Sequence, residues 1–117
     1  MPSDKPRRRF QDILDNIERI ERYTSGSTLA RFAQDSLRRD AVERCLSQNA
    51  EAAIRVRGLS ETLAPDQPWA DIRGLGNVLR HEYEKINVAT IWDIATNGIA
   101  SLKPAVEEAI RKLEADP

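Results

Sequence analysis

The sequence predicts an all-α protein that folds as an up-and-down bundle of four main helices. Apolar residues recur every three or four positions over long stretches, and no window shows the alternation of β-strands joined by hairpin turns. Glycine (5) and proline (6) are few among the 117 residues. No stretch has the composition of a linker, so residues 1–117 should form a single domain. The breaks between helices are short, which favours antiparallel neighbours.

The first helix is predicted over residues 5–23, where acidic residues and arginines separate the apolar positions, as in an amphipathic helix. The apolar positions are Phe10, Ile13, Leu14, Ile17, Ile20 and Tyr23. Residues 24–28, Thr-Ser-Gly-Ser-Thr, then interrupt the pattern.

A second main helix follows a short piece around Leu29 and Phe32, and either Asp35 or Ser36 can cap its N-terminus. Its apolar positions are Leu37, Val42, Cys45, Leu46, Ala53, Val56 and, at the end, Leu63. Gly58 weakens the helical pattern near that end.

The loop at residues 64–68 contains two prolines, the second of which suits a helix start, and a third helix should run from about residue 69 to 86. Asn87 can cap the fourth helix. Its apolar positions are Trp92, Ala95, Ile99, Leu102, Val106, Ala109 and Leu113. The pair at residues 97–98 and Pro104 should bend or interrupt this last helix.

Composition excludes several classes of protein. The net charge of −1 divides into +3 for residues 1–60 and −4 for residues 61–117, which is too mild to predict nucleic-acid binding from electrostatics alone. It suits self-association or a protein partner equally well. One cysteine, Cys45, cannot form an internal disulfide, and no apolar run or leader pattern points to a membrane or to secretion. A cytoplasmic protein is expected.

The stretch RGLGNVLRHEY, residues 73–83, holds the only histidine, His81. On a helix of about 100° per residue, Arg73, Asn77 and His81 share a polar stripe with Arg80 at its edge, opposite the predicted apolar face. A cation, an amide and an imidazole on one stripe can bind or act on an anion. The apolar face is predicted to consist of Ile72, Leu75, Leu79, Tyr83 and Ile86.

Two glycines in this helix, Gly74 and Gly76, each cost about 1 kcal/mol relative to alanine, and close approach of another backbone or a ligand is one reason for such a pair. The opposing interpretation of the stripe is a solvated face on which the arginines pair with Glu84 or Asp71. One histidine and one cysteine supply too few ligands for a metal site, and Cys45 fits a core position better than a nucleophile.

Nearly the whole chain resembles the HepT-like branch of the HEPN superfamily. The resemblance rests on DAVERCLSQNAEAA, PWADIRGLGNVLRHEYEKIN and IWDIATNGIASLKPAVEEAI, and on the N-terminal helix FQDILDNIERIERYT. It implies a helical bundle that forms homodimers and acts as a metal-independent ribonuclease, the toxin of a toxin–antitoxin module. It further implies a minimal nucleotidyltransferase antitoxin, MntA, as the partner that transfers AMP to a tyrosine.

The family motif is R-x4-6-H-x-Y, and by this resemblance His81 is the motif histidine and Tyr83 the motif tyrosine and AMP acceptor. Asn77 matches the polar residue that follows the motif arginine. The arginine itself is absent, because the permitted positions, 74–76, hold Gly-Leu-Gly. Arg73 and Arg80 are the nearest candidates for the missing cation.

Cleavage of RNA without a metal needs a base for the 2′-hydroxyl, an acid for the leaving oxygen and a cation for the charged phosphorane. A two-fold dimer that brings His81 of each subunit to one cleft could supply both proton transfers. The alternative is a weakened or inactive nuclease that survives as a binding partner of the nucleotidyltransferase.

Overall fold

The computed structural model describes residues 4–81 and 86–115, and within these ranges every regular element is helical, which confirms the all-α prediction. The helices are α1 (Asp4–Thr24), α2 (Leu29–Gln34), α3 (Ser36–Arg55), α4 (Leu59–Leu63), α5 (Trp69–His81), α6 (Val88–Asp93) and α7 (Ile99–Ala115), with a π-helical segment (Ile94–Gly98) between the last two.

The long helices pack in the order α5, α3, α1, α7, because α3 contacts both α1 and α5 while α1 also contacts α7. The predicted apolar stripe of α1 faces this core. Its most deeply buried members are Phe10, Ile13, Ile17 and Ile20, whereas Leu14 and Tyr23 are half-buried at its edge.

Helix α3 begins as predicted but ends earlier. The Asp35 carboxylate accepts a hydrogen bond from the Arg38 backbone N–H at 3.1 Å, which satisfies one of the free donors of the first turn. The expected continuation to Leu63 is wrong, since α3 ends at Arg55 and Gly58 adopts a φ of +89°. Glycine tolerates this left-handed conformation, and the chain turns there into the separate helix α4.

The last helical stretch is interrupted where the sequence predicted it. Asn87 caps α6 by accepting a hydrogen bond from the Ala89 backbone N–H at 2.7 Å. The interruption is the π-helical segment, which begins at Ile94 and includes the Asn97-Gly98 pair. Pro104 does not interrupt the helix as the sequence suggested it could, because it lies inside α7.

Candidate active site

The start of α5 is fixed by a buried tryptophan. Trp69 packs against Phe10 of α1 in an edge-to-face arrangement, with ring centroids 6.4 Å apart. Its indole N–H donates to the Ala64 carbonyl at 2.8 Å, so the ring is buried without an unpaired donor. This anchor orients the helix that holds the only histidine.

Helix α5 presents a different face to the core from the one that its apolar residues indicate. Its buried residues are Trp69, Arg73, Gly76 and Leu79, while Leu75 is only half-buried. At about 100° per residue, the buried face is turned by roughly 60° from the predicted one. Because of this rotation, Arg73 lies at the contact with α3 and not on the expected polar stripe.

Gly76 allows α3 and α5 to pack closely against each other. A Cβ atom at this position would lie only 2.6 Å from the Cβ atom of Ala50 in α3, which is too close for any side chain. The close approach predicted for the glycine pair is therefore found at Gly76, within one subunit. Gly74 differs, because a Cβ atom there would meet nothing within 4 Å.

The expectation that Arg73 lies on the exposed stripe is wrong: its side chain is 7% exposed. The guanidinium group donates to the Ala53 carbonyl at 2.9 Å, to the Ser60 hydroxyl at 2.8 Å and to both oxygens of Glu61 at 2.7 and 3.1 Å. A buried guanidinium needs such partners, and α3 and α4 together supply them. Arg73 thus joins three helices.

Glu61 is the charged partner in this network. Hydrogen bonds from Arg73, and further ones from the Ser60 hydroxyl and the Gly58 backbone N–H, hold the pKa of its carboxyl group well below the usual range. Ser60 and Glu61 were not predicted as site residues, because the apolar pattern extends the preceding helix through them. The glycine three residues before Glu61 is the signal of a new helix start, since the Glu61 carboxylate caps the Gly58 N–H.

Three of the predicted site residues lie on the exposed edge of α5: Asn77, Arg80 and His81. The Arg80 side chain extends back along the helix, so that its Nη1 atom lies 3.5 Å from where a Cβ atom of Gly76 would be. The guanidinium group therefore lies directly beside Gly76. The fifth predicted residue, Tyr83, lies outside the described residues.

A cleft of about 470 Å³ lies between the C-terminal end of α3 and this edge of α5. It is lined by Ile54, Arg57, Ala70, Arg73, Gly74, Asn77 and Arg80. All of its charged lining residues are arginines, and Arg57 of this arginine cleft was not singled out from the sequence. Two of the three, Arg57 and Arg80, have exposed side chains.

The opposite side of α5 borders an apolar groove of about 660 Å³, because α5 and α7 are not closely packed against each other along the described residues. Ile72, Leu75 and Val78 of α5 form one wall, and Ile94, Ile99 and Leu102 form the other. Asn49 of α3 also lines the groove, and although it is only 2% exposed, neither its amide nitrogen nor its amide oxygen has a hydrogen-bond partner among the described residues. Helix α5 thus separates an apolar groove from a cationic cleft.

The described residues include no group of three or more histidine, cysteine, aspartate or glutamate side chains close enough together to hold a metal ion. Cys45 is buried in the core, and burial raises the pKa of its thiol, which disfavours the nucleophilic thiolate. No helix within residues 4–81 and 86–115 is both long and apolar enough to cross a membrane.

Comparisons with known proteins agree on one family. The family described as "Ribonuclease HepT-like" matches residues 13–109. A Methanocaldococcus jannaschii protein named "Putative RNase MJ0127" is 33% identical and the alignment covers 99% of this chain and 96% of that protein. The "Probable ribonuclease HepT" of Thermococcus cleftensis is 30% identical over 85% of this chain and 90% of its own length. No solved structure gives a significant match.

Proposed function

Since the chain belongs to the ribonuclease HepT-like family, we propose that it is a metal-independent endoribonuclease whose reacting groups are His81 and Arg80. The observation that carries this proposal is the position of Arg80. Its guanidinium group lies beside Gly76, the residue at a motif arginine position, and it is adjacent to the exposed histidine. We infer that Arg80 substitutes for the missing motif arginine, although it comes from one helical turn further along.

Arg73 is the poorer candidate for that cation. Its guanidinium group donates four hydrogen bonds to Ala53, Ser60 and Glu61, and its charge is balanced by the Glu61 carboxylate. Releasing it towards a substrate would take this donor from the buried Ala53 carbonyl and Ser60 hydroxyl, at a cost of about 1 to 3 kcal/mol for each group left unpaired. We therefore assign Arg73 to holding α5 in place and Arg80 to the phosphate.

In the proposed reaction, the 2′-hydroxyl oxygen of the RNA attacks the neighbouring phosphorus, and the bond from phosphorus to the 5′-oxygen breaks. A neutral His81 accepts the 2′-hydroxyl proton, and a protonated His81 donates one to the leaving 5′-oxygen. Arg80 stabilises the extra negative charge on the phosphorane oxygens, and Asn77 donates a hydrogen bond to the same group. The products are a 2′,3′-cyclic phosphate and a 5′-hydroxyl.

One histidine per chain implies that the second comes from another copy, so the proposal includes a homodimer. The apolar groove beside α5 supports it, since it offers half-buried apolar side chains next to the histidine edge. The buried carboxamide of Asn49 supports it as well, because it has no hydrogen-bond partner within residues 4–81 and 86–115, and such amides are rare in a fully assembled protein. A two-fold contact at α5 would cover the groove and bring the two histidines together.

Control by a partner completes the proposed role as the toxin of a toxin–antitoxin module. A minimal nucleotidyltransferase would transfer AMP to the hydroxyl oxygen of Tyr83, two residues after the histidine, and release pyrophosphate from ATP. The added phosphate would place negative charge near the substrate site and repel RNA. Incubation with such a partner and ATP should add the mass of AMP to the wild type. Mass gain that persists in Tyr83→Phe would remove Tyr83 from this role.

The second candidate function is a non-catalytic partner of the nucleotidyltransferase. The observation that favours it is Gly76 itself, since its contact with Ala50 leaves no space for the arginine of the family motif. Under this alternative, purified protein would leave RNA intact but still bind the nucleotidyltransferase.

Purified protein incubated with single-stranded RNA and EDTA distinguishes the two functions. The wild type should release fragments ending in 2′,3′-cyclic phosphate, and His81→Ala should lower the rate by at least about 100-fold, the usual range for loss of an acid–base group. Arg55→Ala, an exposed residue paired with Glu51, is the control and should cleave like the wild type. Intact RNA with the wild type, or normal cleavage by His81→Ala, would contradict the proposal.

A further inference from the structure

The arginine cleft differs in charge from three other pockets on the described surface. Each of the other three includes at least one carboxylate in its lining, such as Asp12, Glu43 or Asp71. The arginine cleft is lined by three arginines and no acidic residue. The charge of Arg73 is neutralised by Glu61, so Arg57 and Arg80 supply the net positive charge. Such a site favours an anion with two separated charges.

The two exposed arginines lie at different levels along α5. The hydrogen bond from Arg73 to the Ala53 carbonyl sets the C-terminal end of α3 level with Arg73. Arg57 follows that end directly, whereas Arg80 is adjacent to His81, about two turns later on α5. The Arg80 side chain extends back to Gly76, so its guanidinium group lies about one turn along α5 from the level of Arg73, roughly 5 Å. Arg57 and Arg80 therefore offer two cationic positions along the cleft, which suit two phosphates of one strand.

No ion pair or hydrogen bond is found for the Arg57 side chain within residues 4–81 and 86–115, and no acidic side chain lines its wall of the cleft. The surrounding wall is formed by small or uncharged residues, Ile54, Ala70 and Gly74. Gly74 has no side chain to fill the cleft. The space that its Cβ atom would occupy is open, because no other atom lies within 4 Å of that position. A sugar-phosphate backbone has room to follow the cleft here.

We propose that Arg57 is a substrate-binding residue that holds a second phosphate of the RNA, separate from the one that is cleaved. The inference rests on the proposed ribonuclease function and adds the extent of the substrate to it. The substrate is then a single strand that spans more than the cleaved linkage, and a dinucleotide would bind without the Arg57 contact. Loss of Arg57 should weaken binding and leave the chemical step unchanged.

The test measures equilibrium binding of a fluorescein-labelled, single-stranded RNA 12-mer to full-length His81→Ala protein, with and without Arg57→Ala. Arg57→Ala should weaken binding by about five- to tenfold at low salt. The slope of log Kd against log salt should fall by about 0.7, the value for one phosphate contact in a single strand. Arg57→Lys should keep most of that slope.

Arg55→Ala is the matched control, since it removes the same charge two residues away while Arg55 pairs with Glu51 outside the cleft. It should leave both the affinity and the slope unchanged. Equal affinity and slope for Arg57→Ala and its parent, an equal effect of Arg55→Ala, or no RNA binding at all would overturn the inference. If the wild type binds RNA through Arg57 but does not cleave it, the ribonuclease proposal fails and this one stands.

Discussion

At the scale of single residues, we propose separate roles for two arginines of one helix. Arg73 is enclosed and bonded to α3 and α4, whereas Arg80 is exposed beside His81. Arg73→Ala should therefore lower the free energy of unfolding by about 2 to 4 kcal/mol, because it leaves buried partners unpaired. Arg80→Ala should change stability by less than about 0.5 kcal/mol but lower RNA cleavage by at least about 100-fold.

Urea unfolding of the two variants measures the contribution of each arginine to stability, and their cleavage rates measure its contribution to activity. Arg73→Lys should not restore stability, since an ammonium group cannot reproduce the paired hydrogen bonds to Glu61. The assignment is wrong if Arg80→Ala unfolds the protein, or if a folded Arg73 variant loses cleavage while Arg80→Ala keeps it.

The lowered pKa of Glu61 predicts a pH dependence of stability. A carboxyl group whose folded pKa lies below its ordinary value of 4.5 stabilises the fold above about pH 4.5. That contribution is lost as the pH falls from there towards the lowered pKa. The difference in unfolding free energy between the wild type and Glu61→Gln should be constant near neutral pH and should shrink below about pH 4.5. A difference that stays the same from pH 7 to pH 3 would contradict this linkage.

Sequence reasoning located the exposed residues of the site better than the buried one. Asn77, Arg80 and His81 lie on the surface of α5 as the helical spacing indicated. Arg73 could not be assigned correctly, because charge predicts exposure unless the partners are known. Its partners, Ser60 and Glu61, are 13 and 12 residues away in the chain, in a helix that the pattern did not separate from α3.

At the scale of helices, the two glycines of α5 provide a matched pair. Gly76→Ala should lower the free energy of unfolding by about 1 to 3 kcal/mol, because the contact with Ala50 outweighs the gain in helix propensity. Gly74→Ala meets no atom within 4 Å and should raise it by up to about 1 kcal/mol.

Urea unfolding of both variants checks that the unfolding free energy falls for Gly76→Ala and rises for Gly74→Ala. Dimer dissociation, measured on the same samples, distinguishes a change in the contact between subunits from a change in the fold of one subunit. Equal effects of the two substitutions on unfolding would mean that α3 and α5 are not packed at Gly76 as described.

Helix ends marked by a side chain were predictable. Asp35 and Asn87 cap helices through local hydrogen bonds, so the residue type alone indicates the start. The rotation of α5 was not predictable in this way. It depends on Gly76 meeting Ala50, a contact between residues 26 positions apart.

At the scale of the whole molecule, periodicity was sufficient for the all-α fold, because apolar spacing is repeated over every long helix. The apolar groove between α5 and α7 could not be predicted from the same pattern. Its residues satisfy the helical periodicity whether they face a core or a second subunit. The proposed dimer is therefore tested best by an experiment that measures whether each active cleft needs His81 from both subunits.

Mixing wild-type and His81→Ala subunits, allowed to exchange, and measuring RNA cleavage tests the central claim most directly. If each cleft needs both histidines, only wild-type pairs cleave, and activity follows the square of the wild-type fraction. An equal mixture should then retain about a quarter of the wild-type rate. Retention of about half, in proportion to the wild-type subunits, would contradict the shared cleft.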